Sequence, residues 1–300
     1  MVAFFQARLR GLVPWLGVVF VVLAMLFIAM VFAAKVIIFP EIAALAVGSL
    51  VYNEERWVAS RLFFWLLPSL SALLGVLINY TNFPLFIKEL VALFLVLLLL
   101  QVFRSQVAPS ISAAILPIVL GVHSWLFVLS VTVLTITVTG LHKATKSVSS
   151  NKSMGLRDRK SLIEYCLIAS LWIVVTYVLP FHLKVIPPLL VVFYEMIPKR
   201  DRPKKDFIGR GVFLIVVAIL GVLVAGLFGQ DLVLIGLVDV LLVALLAKRM
   251  ALRLPPAFAI ALLPIVFRGS GLMYIAVVMM TILFLFGLLQ SLRALENRWG

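Results

Sequence analysis

The sequence predicts an all-α, polytopic integral membrane protein. Three observations carry the prediction: 64% hydrophobic residues against 13% charged, a mean hydropathy of +1.22, and long apolar runs that leave no polar face for water. A soluble chain of this length covers itself with charge, so the solvent here is a bilayer. Twelve acidic residues against 26 basic ones give a net charge of +14. In a membrane protein that excess points to loops rich in Lys and Arg, not to nucleic acid as a partner. The single cysteine, Cys166, lies inside an apolar run, which excludes a disulfide framework and a thiolate metal site.

The first apolar segment runs from about 12 to 34. Arg8 and Arg10 precede it as in a signal peptide, but no A-x-A cleavage pattern follows, so a retained first helix is expected. Further segments fall near 36–52, 61–80, 85–103, 108–121 and 124–141. Residues 142–160 are polar, Ser-rich and basic, the composition of a solvated linker. A second set follows near 161–180, 184–197, 208–228, 231–247, 255–266 and 270–291, and a polar tail occupies 293–300. The segments at 36–52, 108–121, 184–197 and 255–266 carry proline and fall short of the roughly 20 residues a perpendicular span needs. They are expected as half-spans, re-entrant pieces or parts of kinked helices shielded from lipid.

The two sets resemble each other. Pro109 and Pro117 of APSISAAILPIV match Pro256 and Pro264 of PPAFAIALLPIV at one offset of 147 residues, and the same offset places Pro40 on Pro187. Gly75 lies opposite Gly221 at an offset of 146, and Arg61 corresponds to Arg210 across a two-residue insertion. Pro, Gly and Arg landmarks in one order predict a duplicated unit: a first membrane repeat over 1–141, the linker, and a second repeat over 161–292.

If all six segments of each half cross, 22 of the 26 bases collect on one side and four, Lys35, Lys88, Lys184 and Arg268, on the other. This places both termini and the linker in the cytoplasm and makes the repeats parallel, related by a pseudo-twofold axis along the membrane normal. The expected location is the plasma membrane, a bacterial inner membrane in type.

Arg104-Ser105-Gln106-Val107-Ala108-Pro109-Ser110 and Arg249-Met250-Ala251-Leu252-Arg253-Leu254-Pro255-Pro256-Ala257, each opening a short Ala-bearing segment, resemble the integral membrane HPP family. The family's His is replaced by Ala108 and Leu254, and Ser110 stands for the second proline of the first copy. The resemblance implies transport, with nitrite handling proposed for plastid members. A weaker resemblance is to the membrane part of fusaric-acid and aromatic-acid exporters.

Candidate functional residues are the charges placed in apolar sequence, where a carboxylate costs several kcal/mol unless it is protonated, paired or facing water. Asp239 lies in LVLIGLVDVLLVALL, about 12 Å along a helix from Asp231 and so near mid-membrane. It reads either as a proton or cation site or as a structural carboxyl paired on a neighbouring helix. Glu41 follows Pro40 at the start of a short segment, where it can meet an ion or substrate, or lie at the interface near Lys35. Glu89 reads as a snorkelling partner of Lys88. Pro40, Pro109, Pro187 and Pro256 are candidate helix breaks whose freed ends can hold an anion, or plain kinks. Arg61 and Arg210 can guide an anion or bind lipid phosphate, or serve as positive-inside anchors. His123, His142 and His182 share no metal-ligand spacing, and no catalytic motif is present.

These readings converge on a transporter or channel for a small anion or organic acid, coupled to protons through Asp239, with no cofactor. Two alternatives stay open: a lipid-handling protein, flippase or enzyme, that binds phosphate-bearing headgroups, and a non-transporting subunit that docks a partner on the linker and the Lys199–Lys205 loop. The partners expected are the bilayer, a small anionic solute or headgroup, and either a second copy or another membrane subunit.

Overall fold

The computed structural model describes residues 2–145, 158–178, 185–199, 203–267 and 271–299. Most of the linker, His182, Lys184, Arg268 and the middle of the Lys199–Lys205 loop lie outside the described residues, as do the side chains of the C-terminal tail. Among the described residues every regular element is helical. Seven helices are long and apolar enough to cross a membrane. They are carried by α1 (Val2–Val31), α4 (Arg61–Asn79), α5 (Leu85–Val102), α7 (Trp125–Thr145), α8 (Arg159–Val178), α10 (Lys204–Phe228) and α13 (Gly271–Trp299). An eighth long helix, α11 (Leu232–Arg249), carries Asp239, Lys248 and Arg249. The chain is therefore a multi-pass membrane protein. Its outward faces are apolar, with Leu16, Leu98, Leu167 and Leu283 each more than half exposed, as a surface solvated by lipid requires.

The four short segments are α2 (Glu41–Ala46), continued by a π-helical turn at Val47–Val51, α6 (Pro109–Leu120), α9 (Pro187–Met196) and α12 (Pro256–Leu262), continued by a 3-10 turn at Leu263–Ile265. A one-turn helix, α3 (Glu55–Val58), was not foreseen. The short helices form a closed ring, α2 against α6, α6 against α9, α9 against α12 and α12 against α2, walled by the long helices. Nearly all their residues are buried, which explains their continuous hydrophobicity: they have no lipid face and no water face.

Four of their prolines stand at helix starts. Pro40 is the residue before α2, and Pro109, Pro187 and Pro256 occupy first positions, where a missing N–H costs nothing. Residues Ile37 to Pro40 carry the chain inward before α2 starts, so Glu41 begins a helix inside the protein. In α6 the amide of Asn79 donates to the carbonyls of Pro117 (2.8 Å) and Val122 (2.7 Å), and α6 continues to Leu120. Ala225, at the offset of 146 that places Gly75 on Gly221, offers no such amide, and α12 tightens to 3-10 at Pro264.

The same local structures recur at the offset of 147. The turns after α5 and α11 put Arg104 (φ +47°) and Ala251 (φ +51°) in the left-handed region. Each is closed by a local backbone bond that ends the helix, Ser105 N to Leu100 O (2.9 Å) and Leu252 N to Ala247 O (3.0 Å). A Cβ on Gly75 would lie 2.1 Å from the Ala114 carbonyl, and one on Gly221 would lie 2.2 Å from the Ala261 carbonyl. Only glycine permits α4 to cross α6, and α10 to cross α12, that closely. The packing pairs also correspond: α1 meets α11 where α8 meets α5, and α4 meets α7 where α10 meets α13.

Candidate functional site

The ring of short helices holds the protein's buried polar centre. Glu41 is 1% exposed and accepts a hydrogen bond from the Ser112 hydroxyl through Oε1, so the first turns of α2 and α6 meet there. Its other oxygen, Oε2, has no partner, and neither has the buried Ser110 hydroxyl two residues before Ser112. Asp239 on α11 is also 1% exposed, and neither of its oxygens is hydrogen-bonded. Tyr274 on α13 has its phenol within electrostatic reach of both carboxyls and donates to the Ile260 carbonyl of α12 at 2.7 Å. Among the described residues, the buried charged side chains of the Asp, Glu, Lys and Arg types are Glu41, Glu89 and Asp239, and none is a base.

This geometry decides several expectations. Glu41 is not an interfacial acid near Lys35, because the inward course of residues 37–40 carries it into the core. Among the described residues neither Asp239 oxygen has a hydrogen-bond partner. Glu89 does not snorkel beside Lys88: it is 3% exposed, while the Lys88 ammonium donates to the Asn79 carbonyl at 3.1 Å. The place where two short helices start against each other is filled by the chain's own carboxyl, Glu41, and not left free for an anion. Ser110, Ser112 and Tyr274 were missed, since Ser and Tyr in apolar helices attract no notice singly. A signal was present: at the offset of 147 their counterparts are Ala257, Ala259 and Phe127, while Glu41 and Asp239 oppose Pro188 and Ala92.

Arg61 and Arg210 lie away from this centre. Arg61 opens α4 behind the N-cap Ser60, with its Nε buried and unbonded. Arg210 donates to Asp206 one turn earlier at 3.1 Å. It lines a narrow crevice of about 20 Å³ with Arg253, Glu54 and Glu195, which mixes charges of both signs from both halves.

At the opposite end, where α6 and α12 finish and the chain turns in toward α2, lies a larger cavity of about 210 Å³. Lys35, Val36, Leu120, Val122, Ile265 and Phe267 are among its walls. Phe267 is buried and packs edge-on against Tyr274, ring centroids 5.3 Å apart. The floor of the cavity is thus in contact with the residue that reaches both buried acids. Among the described residues no group of His, Cys, Asp and Glu is arranged to hold a metal ion. No protein-family model, no curated protein and no solved structure matches this chain.

Proposed function

We propose that the protein is a secondary transporter built of two parallel repeats, moving a small solute together with protons exchanged at Glu41 and Asp239. The observation that carries the reading is Asp239: a fully buried carboxyl, halfway along a helix of membrane length, with neither oxygen bonded. A carboxylate in such a place costs several kcal/mol unless a proton, a cation or water satisfies it. A second buried acid, Glu41, also lies within electrostatic reach of Tyr274, so the centre offers two groups at which a proton can be held. A site whose proton can leave only when the surroundings rearrange couples protonation to conformation.

The repeat reading is supported by the paired left-handed turns, the paired glycine crossings and the corresponding helix contacts. Each polar group of the centre opposes an apolar residue in the other half, so duplication supplies the scaffold and one polar site serves the whole molecule. The excess of bases on the Arg61, Arg210 and Arg253 side supports assigning that side to the cytoplasm. Membership of an HPP-like group is part of the same proposal and rests on the Arg104 and Arg249 stretches. The lipid-headgroup alternative is less well supported, because Glu54 and Glu195 share the crevice with Arg210 and Arg253 and oppose a phosphate.

The test is proton flux in liposomes carrying the purified protein and a pH-sensitive dye, driven by a pH gradient with candidate solutes present. Asp239→Asn, which keeps the side-chain shape, is expected to abolish solute-linked proton movement while the protein still elutes as a folded monodisperse species. Undiminished flux in folded Asp239→Asn would defeat the proposal.

A further inference from the structure

We propose that the cavity of about 210 Å³ is the solute site on the side away from the basic end, and that it takes a small organic monocarboxylate. The inference deepens the transporter reading by naming its substrate class. The cavity joins the two halves, with Lys35 and Leu120 from the first and Ile265 and Phe267 from the second. It is smaller than the roughly 300–1,000 Å³ of sites for drug-sized ligands, which limits the solute to a short molecule.

Its chemistry is divided. Val36, Leu120, Val122, Ile265 and Phe267 present hydrocarbon, while the Lys35 ammonium has no partner among the described residues. An unpaired ammonium at the rim of an apolar hollow suits a ligand with one anionic end and an apolar body. The carboxylate replaces part of the water around Lys35, and the body removes apolar wall from water. A fully hydrated inorganic anion gains nothing from these walls, and an organic ammonium of the same shape meets Lys35 as a like charge.

The position also joins the cavity to proton exchange. Phe267 forms part of the wall and packs on Tyr274, whose phenol reaches Glu41 and Asp239. A ligand seated against Phe267 therefore presses on a side chain that packs directly on Tyr274. Lys35 itself is six residues before Glu41, joined to it by the buried stretch Ile37 to Pro40. Displacement of the loop by a bound solute thus has a short covalent route to the start of α2.

The experiment is titration calorimetry on the full-length protein in detergent with butyrate, butylammonium and chloride. Butyrate is expected to bind, and the other two to bind at least tenfold more weakly. Lys35→Met should weaken butyrate at least tenfold and Lys35→Arg should restore it. Val122→Trp, which fills the cavity, should abolish binding while the unfolding midpoint stays near that of the wild type. Asp239→Asn, which mimics the protonated acid, should still bind butyrate while abolishing proton flux, so loss of proton flux and loss of solute binding are read separately. Binding of butylammonium as tight as butyrate, absence of butyrate binding, or butyrate affinity unchanged in Lys35→Met would each overturn the proposal.

Discussion

Replacing Gly75 by Ala inserts one methyl group where the structure has no room for it. The new Cβ falls 2.1 Å from the Ala114 carbonyl oxygen, whereas carbon and carbonyl oxygen approach favourably at about 3.3–3.6 Å. The shortfall exceeds about 1 Å, and the obstructing atom is helical backbone in α6 that cannot swing aside like a side chain. Helices α4 and α6 must part, and a gap of about 0.5–1 Å forfeits a quarter to a half of each contact's attraction. A cost of about 2–3 kcal/mol is expected, a fall of roughly 4–12 °C in unfolding midpoint at about 2–4 °C per kcal/mol. Gly221→Ala should cost about the same, since its Cβ would lie 2.2 Å from the Ala261 carbonyl. Gly140→Ala is the control: nothing lies within 4 Å of that Cβ, so Ala should stabilise α7 by about 0.5–1 kcal/mol. Thermal unfolding in detergent, followed by the fluorescence of buried Trp57 and Trp172, reads all three. Wild-type stability in Gly75→Ala would refute the close crossing. A loss in Gly75→Ala without one in Gly221→Ala would refute the equivalence of the two halves.

Two further outcomes follow from single residues. Asn79→Ala removes both amide bonds that hold the end of α6 and should cost about 1–3 kcal/mol, read as a lower unfolding midpoint; an unchanged midpoint would show that Pro117 and Val122 find other donors. Ala251→Gly relieves a left-handed residue with φ +51° and should raise stability by about 1 kcal/mol, so a fall in midpoint would contradict the turn described after α11.

The polar centre was only half legible beforehand. Asp239 stands out in any reading because a charge amid Leu and Val has no ordinary explanation in lipid. Glu41 is a candidate from the sequence too, but its depth is not legible there, because it depends on residues 37–40 running inward before the helix begins, and hydropathy is blind to that path. Ser112 and Tyr274 became significant only when α6 was packed against α2 and the Tyr274 phenol reached the Ile260 carbonyl of α12. The short Pro-bearing segments were identified by length, yet four of their prolines stand at helix starts, because a proline's effect depends on where the helix begins and not on its presence alone.

Composition and pattern by themselves determined the solvent and the number and order of the apolar segments. These depend on period, length and charge, which are local properties of the chain. Tertiary structure alone decided that the four short helices close into a ring, that Ser112 meets Glu41 within it, and that Tyr274 reaches the ring at Ile260. It also decided that a cavity ends on Phe267. The physical reason is that juxtaposition of residues some two hundred positions apart is set by the packing of whole helices, down to a missing methyl at Gly75 and Gly221.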